Sequence, residues 1–208
     1  GNMWKFDLTN MSDANWKVAF NDSPLFTATG PATLGSSSRT LYQSISTAPT
    51  IRANDRVMKV GSGASAKTVA VGGMMVGFGT GRNVTKADEN DSTVQTLYSV
   101  LDNTRYSVVT TALGKRLEVN PGVVGCAKGA NCIPVPAALG EGIATATLAQ
   151  QKISAVTSTY ATVDVTDELK EATWKDYNGW YMDLPAVGER LLKPMEFYDG
   201  SNILAVYT

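Results

Sequence analysis

The chain has 208 residues, of which 43% are hydrophobic and 18% charged, with a formal net charge of −1. A nearly neutral chain has no field that attracts nucleic acid or anionic lipid, so we expect no nucleic acid partner. No apolar run approaches the roughly 18 residues of a membrane-spanning helix, so we expect no membrane insertion. The start, GNMWKFD, shows no signal peptide and already reads as a strand, which suggests a piece of a longer protein.

Short apolar or alternating segments, bounded by Gly, Pro, Asn and Asp, follow one another along the chain, and each predicts a strand. In chain order they cover residues 3–8, 16–20, 25–29, 44–51, 56–60, 68–78, 95–102, 105–109, 115–119 and 143–154, then WYMDL, ERLLKPMEFY and NILAVYT. The best helical candidate is residues 166–174, where Thr166 is a suitable N-cap and acids fill the first turn. The distribution predicts an all-β fold.

The spacing of these strands favours a sandwich, a barrel or a propeller. Three strands end in Asp, in WKFDL, LYSVLD and WYMDL, and this recurrence favours a propeller segment. The stretches 30–38, 61–67 and 122–142 read as loops and not as domain linkers. We therefore expect a single domain over residues 1–208, a partial β-propeller-like (quinoprotein-like) assembly of antiparallel sheets with long loops.

Two cysteines, Cys126 and Cys132, lie in GCAKGANCIPVP. Their spacing fits a tight loop closed by a disulfide, which would stabilise the fold by roughly 2 kcal/mol and indicate an oxidising compartment. Two free buried thiols are the alternative. Two cysteines without any histidine do not supply the ligands of a structural zinc site, so we expect no metal in this chain.

Catalytic patterns are weak throughout. The chain has no histidine, the usual general base near neutral pH. VGFGTGR lacks the Gly-Lys-Ser/Thr of a P-loop, VGSGAS lacks a strand and helix around its glycines, and the carboxylate pair Asp164 and Asp167 lies in polar sequence. We expect no catalytic residue and no bound cofactor, and hence no enzyme.

The segment GWYMDLPAVGERLL predicts a strand, a turn over residues 186–188 and a return strand that begins with residues 189–192. Alternation places Trp180 and Met182 on one face of the first strand, and Tyr181 and Asp183 on the other. A structural role is favoured; the alternative is a ligand pocket lined by Trp180, Tyr181, Asp183 and Arg190.

Other aromatic residues receive a structural interpretation as well. Trp4, Trp16 and Trp174 are expected in the core, because single tryptophans on strands are more often buried than used for stacking. Tyr98 and Asp102 are expected to be a strand residue and the acid of the turn that follows it.

Several motifs, taken in order, carry a family resemblance. GNMWKFDL with the following WKVAF and PLFTA, then ISTAPTI, GFGTGR, QTLYSVLD and finally GWYMDLPAVGERLL, together resemble the C-terminal domain of type IV pilus tip proteins, the PilY/PilC group of biogenesis factors and adhesins. These motifs extend from residue 1 to residue 192. The resemblance implies a β-propeller, of which this chain would be a fragment.

The resemblance also implies a function and a location. It implies a non-enzymatic protein of type IV pilus biogenesis and of adhesion to host or abiotic surfaces, extracellular at the pilus tip or bacterial outer surface. Its implied partners are minor pilins or pilus assembly proteins and a surface receptor. Recognition is expected in the loops 30–38, 61–67, 86–93 and 122–142. The alternatives are a quinoprotein-like or glycan-processing enzyme on the same scaffold, and a lectin.

Calcium is the remaining question at this stage. The family's calcium loop would lie upstream of Gly1, so calcium remains an expectation for the full-length protein. Inside the chain, KADENDSTVQTLYS offers Asp88, Asn90 and Ser92 at suitable spacing. However, Thr93 replaces the turn glycine and Ser99 replaces the bidentate Glu of an EF-hand. A solvated turn between strands is the favoured interpretation of that loop.

Overall fold

The computed structural model describes residues 1–30, 33–34, 37–38, 42–127, 130–157, 161–165, 173–198, 201 and 203–208. The strands in these ranges are β1 (Asn2–Met3), β2 (Phe6–Asp7), β3 (Lys17–Val18), β4 (Phe26–Thr27), β5 (Thr33–Leu34), β6 (Ser37–Ser38), β7 (Thr50–Ala53), β8 (Val57–Val60), β9 (Lys67–Ala70), β10 (Met74–Gly79), β11 (Thr96–Asp102), β12 (Arg105–Thr111), β13 (Gly114–Asn120), β14 (Gly140–Glu141), β15 (Ala149–Val156), β16 (Ala161–Val165), β17 (Gly179–Asp183), β18 (Glu196–Phe197) and β19 (Leu204–Ala205).

Helical structure in the described ranges is confined to short segments. The α-helical ones are α1 (Ala19–Asp22) and α2 (Gly142–Ala146). Single 3₁₀ turns lie at Asp13–Asn15, Gly63–Ser65, Lys86–Asn90 and Trp174–Asp176. None of the helices described is long and apolar enough to cross a bilayer. The predicted all-β fold class is confirmed.

The main sheet has six strands in the order β16-β15-β17-β11-β10-β7. Its neighbours are antiparallel except β15 and β17, which are parallel. The four strands β7, β10, β11 and β17 lie side by side in chain order and are antiparallel, which is the form of a propeller blade. The hairpin β8–β9 lies between β7 and β10 in the chain, and β12 to β16 lie between β11 and β17. Of these, β15 and β16 extend the sheet beyond β17.

The main sheet buries side chains on both faces. On one face Val76, Phe78, Tyr98 and Val100 pack against Phe26 of the small sheet β1-β4-β14. The three aromatic rings meet with centroids 5.2–6.1 Å apart. The opposite face carries a second cluster, which consists of Leu97, Leu184, Leu191 and Met195 with Trp180 and Met182 at its border. Burial of each large side chain contributes about 1.5–3 kcal/mol.

Several predicted strands differ from the structure. The segment 3–8 divides into β1 and β2, and the segment 44–51 is a strand only from Thr50. The segment 68–78 splits into β9 and β10, because Gly72 and Gly73 adopt positive φ and turn the chain between them. The segment 16–20 stops at Val18, after which Phe20, Asn21 and Asp22 have positive φ. The segment 143–154 begins as α2, and its strand starts only at Ala149.

Two further predicted elements, the helix at 166–174 and the return strand after the turn at 186–188, also have to be compared with the structure. The predicted helix 166–174 lies outside the described residues up to position 172, and its last residue, Trp174, starts a 3₁₀ turn. The return strand predicted at GERLL is wrong: residues 189–192 form no strand, because Arg190 and Leu191 are held by contacts with the 80–91 region instead of by a ladder. Their backbone follows the rim of the sheet.

Two of the tryptophans expected in the core are half exposed. Trp4 is 44% and Trp16 50% accessible, whereas Trp174 is buried as predicted. Trp4 and Trp16 lie beside the two-residue strands β1, β2 and β3. Such short ribbons present little surface against which a large ring can pack, so local alternation overstated their burial.

Candidate functional site

Tyr98, Thr96 and Asp183, from two of the motifs, meet in a hydrogen-bond network at the centre of the main sheet. The Tyr98 hydroxyl lies 2.8 Å from Gln43 Oε1, and Gln43 Nε2 donates to Thr96 Oγ1 at 2.9 Å. Thr96 Oγ1 in turn donates to Asp183 Oδ1 at 2.7 Å. Burial raises the pKa of Asp183, and burial likewise raises the pKa of Tyr98. QTLYSVLD and GWYMDL are therefore joined by side-chain bonds that stabilise the blade.

The residues of the alternative pocket do not converge. Trp180 borders the cluster around Leu97, whereas Tyr181 packs on the opposite face of β17 against the cluster that contains Tyr98. Asp183 points to Thr96, and Arg190 lies beyond the turn. The predicted alternation of faces along GWYMD is thus seen in the structure, and it separates these side chains.

Arg190 is buried at the rim of the sheet and holds a loop. Its guanidinium donates to the backbone carbonyls of Arg82 at 2.8 Å, Asp91 at 3.0 Å and Asp88. The side chain is 9% exposed, so these bonds replace nearly all of its contact with water. A guanidinium has several N–H donors in a fixed geometry, so it can bind the several carbonyls of this loop at once.

Asp88 is buried and fully engaged, contrary to the solvated turn expected for its loop. It accepts from Arg82 Nε at 2.8 Å, from Thr85 N at 2.7 Å, from Val84 N at 3.0 Å and from Thr85 Oγ1 at 2.9 Å. The Arg82 hydrogen bond, followed by those of the Thr85 and Val84 amides, holds the pKa of Asp88 well below its usual range. Protein donors thus occupy both oxygens that the EF-hand interpretation would assign to calcium.

Cys126 and Cys132 form a disulfide with an S–S distance of 2.00 Å. The loop they close lies beside the β8–β9 hairpin, where Gly61 N donates to the carbonyl of Asn131 at 3.2 Å. The loops 61–67 and 122–142 therefore share one end of the main sheet. The loop 86–93 follows β10 at the opposite end, and residues 31, 32, 35 and 36 of the loop 30–38 lie outside the described residues.

A cavity of about 340 Å³ lies behind the disulfide. Its walls include Cys126, Cys132, Ile133, Leu101 and Trp174. Most of this lining is apolar, and its polar residues include Lys175, Tyr177 and Asn178. We interpret it as loose packing under a long loop.

A second cavity, of about 260 Å³, opens on the face of the main sheet that carries Trp180. We call it the arginine cleft and define it by Arg52, Arg56, Trp174, Trp180 and Phe197. The Arg56 guanidinium lies 5.5 Å from the Trp174 ring centroid, and that of Arg52 lies 5.3 Å from the Phe197 ring.

The floor of the arginine cleft is formed by small residues of neighbouring strands. Gly77 of β10 is paired with Ser99 of β11, which is paired with Trp180 of β17. Gly77 has no side chain and Ser99 a short one. A Cβ at Gly77 would lie 3.1 Å from Thr50 Cγ2 and 3.3 Å from Met195 Cε, so a larger residue there would press on these neighbours.

Sequence reasoning missed the arginine cleft. Its walls come from β7, the segment before β8, the turn at Trp174–Asp176, β17 and β18, which are far apart in the chain. The one local signal is the pair of arginines in IRANDRV, separated by polar residues. That spacing is common on surfaces and does not by itself indicate a site.

The open four-stranded antiparallel blade, with motif residues locked across it, defines a β-propeller type of domain. A family model described as the PilY1 beta-propeller domain matches residues 1–120, more than half of the chain. The chain therefore belongs to this family, which is associated with type IV pili and is non-enzymatic. A search of curated proteins and a search of solved structures gave no match.

The family match ends before the GWYMDLPAVGER segment. That segment nevertheless pairs with the matched part, because β17 lies beside β11 with Tyr181 opposite Tyr98. The structural unit therefore extends past residue 120.

Proposed function

We propose that this chain is a binding and assembly domain of an extracellular type IV pilus protein, which acts in pilus biogenesis and in adhesion to host or abiotic surfaces. The observation that carries the proposal is the family match over residues 1–120. Its partners would be minor pilins or pilus assembly proteins on one side and a surface receptor on the other. Its place would be the pilus tip or the bacterial outer surface.

Recognition is assigned to the end of the sheet where two loops lie together. Residues 61–67 are all exposed, and Val124 in the neighbouring loop is 87% exposed. The bond from Gly61 N to Asn131 O and the Cys126–Cys132 disulfide fix the loops relative to each other. A fixed, exposed surface of this kind lowers the entropy lost on binding a partner.

Single-domain organisation over residues 1–208 is part of this proposal. It is supported by the β1-β4-β14 sheet, which shares a core with the main sheet through Phe26. No cofactor is assigned to the chain in this proposal; calcium, where it is bound, would belong to a loop upstream of Gly1 in the full-length protein.

The test is deletion of the Cys126–Cys132 loop in the bacterial protein. We expect adhesion to fall while the number of assembled pili and the melting temperature of the purified chain stay close to wild type. The control is Leu113→Ser at the tip of the β12–β13 hairpin, which is 96% exposed and outside both loops. Unchanged adhesion after the deletion would refute the assignment of recognition to this loop.

A further inference from the structure

Arg56 presents hydrogen-bond donors that the described residues do not use. Its guanidinium is partly buried against Trp174, and in the described ranges neither a carboxylate within ion-pair distance nor a hydrogen-bond acceptor is assigned to it. Burial lowers the pKa of Arg56, although an arginine stays charged at neutral pH. A partly dehydrated cation with open N–H groups favours an anionic partner.

The second arginine is fixed in a similar way. Arg52 stacks on Phe197 and donates from Nη1 to the carbonyl of Ser201 at 3.1 Å. Both guanidinium groups line the cleft next to an aromatic ring, and the N–H groups that the described residues leave unused are available to a ligand there. A planar carboxylate is the anion that matches such an edge with two parallel hydrogen bonds.

The rest of the arginine cleft is mixed: rings and aliphatic side chains form most of its lining, and Asn54, Asp55, Tyr177 and Ser99 add polar groups. Trp180 and Phe197 provide ring surfaces, and the Ser99 side chain lies between Gly77 and Trp180 in the sheet. The volume of about 260 Å³ accommodates a single ring and is smaller than the pockets that enclose drug-sized ligands. Because the cleft is open to solvent, the ring can belong to a longer polymer.

We propose that the arginine cleft binds one carboxylate-bearing pyranose unit of an acidic polysaccharide. The carboxylate pairs with Arg56, with Arg52 as the second cation. The apolar face of the sugar ring packs on Trp180 and Phe197. A hydroxyl of the sugar that faces the sheet hydrogen-bonds to Ser99 at the floor of the cleft. Asp55 also lines the cleft and opposes an anion, but it is exposed and lies outside ion-pair distance of Arg56.

This site adjoins the 122–142 loop, since Trp174 packs against Ile133, but its ligand can be tested on the purified chain without any assay of adhesion. An oligomer of galacturonic acid is titrated by calorimetry and by quenching of tryptophan fluorescence, with the methyl ester of the same oligomer as the neutral match. We expect the acid to bind at least about tenfold more tightly than the ester. Equal binding of the two, or no binding of the acid, overturns the proposal, as does tighter binding of an oligoglutamate peptide.

Variants then locate the binding. Arg56→Gln should weaken binding of the acid at least about tenfold, whereas Arg116→Gln, on the exposed β12–β13 hairpin, should leave it at the wild-type value. Asp55→Asn removes the opposing charge and should tighten binding of the acid but not of the ester. Wild-type affinity of folded R56Q overturns the proposal. If R56Q does not fold, the affinity of D55N for the acid is the test, and an affinity equal to that of the wild type then overturns the proposal.

Discussion

Arg190 Nη2 donates to the backbone carbonyl of Asp91 at 3.0 Å, a bond that spans 99 residues of sequence. The same guanidinium reaches the carbonyls of Arg82 and Asp88, so it ties the Gly-Glu-Arg segment to the loop after β10. Two segments that resemble family motifs are thus two halves of one structural contact. The role of Arg190 is to fix the rim of the blade.

Arg190→Lys is expected to destabilise the chain by about 2–4 kcal/mol, because an ammonium cannot reach several separate carbonyls and leaves some of them buried without a donor. Urea unfolding measures the change. Arg116→Lys, an exposed arginine, is the control and should stay within about 0.5 kcal/mol of wild type. A wild-type unfolding midpoint for R190K would show that the loop does not depend on this side chain.

Asp88 makes stability depend on acid pH. Its pKa in the folded chain is depressed, first by Arg82 and then by the amides of Thr85 and Val84, so its contribution is fully present above the unfolded pKa of about 4. That contribution is lost as the pH falls toward the folded pKa, since the unfolded chain takes up the proton first. Melting temperatures between pH 7 and pH 2 should fall less steeply for Asp88→Asn and for Arg82→Gln. A wild-type slope in D88N would contradict this origin.

Gly179 is expected to tolerate no side chain, for reasons of space more than of φ. A Cβ there would lie 2.0 Å from the Ser99 carbonyl oxygen, whereas at Gly114, with a similar positive φ, nothing lies within 4 Å. Gly179→Ala should therefore cost about 2–4 kcal/mol, and Gly114→Ala only about 1 kcal/mol of backbone strain. Chemical unfolding of both variants compares the cost of the steric clash at position 179 with the cost of backbone strain at position 114. Equal losses would mean that β11 and β17 can separate to admit the methyl group.

Tyr98→Phe is expected to cost about 1–3 kcal/mol, because the acceptors on Gln43 and Thr29 stay buried without the hydroxyl. Tyr106→Phe is the matched control, since its ring is 43% exposed on the β12–β13 hairpin. Thermal unfolding of the two variants distinguishes the hydroxyl in the core from one at the surface. A Y98F variant as stable as Y106F would show that the hydrogen bonds of the Tyr98 hydroxyl do not stabilise the blade.

Calcium is expected to leave the stability of this chain unchanged. Both oxygens of Asp88 already accept hydrogen bonds, and the described residues contain no cluster of three metal-ligating side chains. Melting temperatures in millimolar CaCl₂ and in EDTA should agree, because only a ligand that binds the folded state raises them. A calcium-dependent increase that is lost in D88N would assign a metal to this loop after all.

Much of the blade could be predicted from sequence, because strand signals are local. The centre of the main sheet is an example. The bounds of β11 were predicted within one residue, and the alternation around Trp180 predicted which side chains of β17 lie on each face of the sheet. Glycine breaks were harder to place, since a glycine inside an apolar run is compatible with a bulge, a close approach or a turn. Only the positive φ values at Gly72 and Gly73 show that this run turns.

The sequence by itself determined the all-β character, because period-two alternation and turn residues act over a few positions. Its motifs, taken in order, determined the family. Only the tertiary structure decided that Asp88 is buried and paired with Arg82, that Arg190 binds the loop of Asp88, and that Arg52, Arg56, Trp180 and Phe197 line one cleft. Except for the pair of Arg82 and Asp88, these relationships join residues far apart in the chain. Their burial and charge environment depend on which strands become neighbours, and no local pattern encodes that.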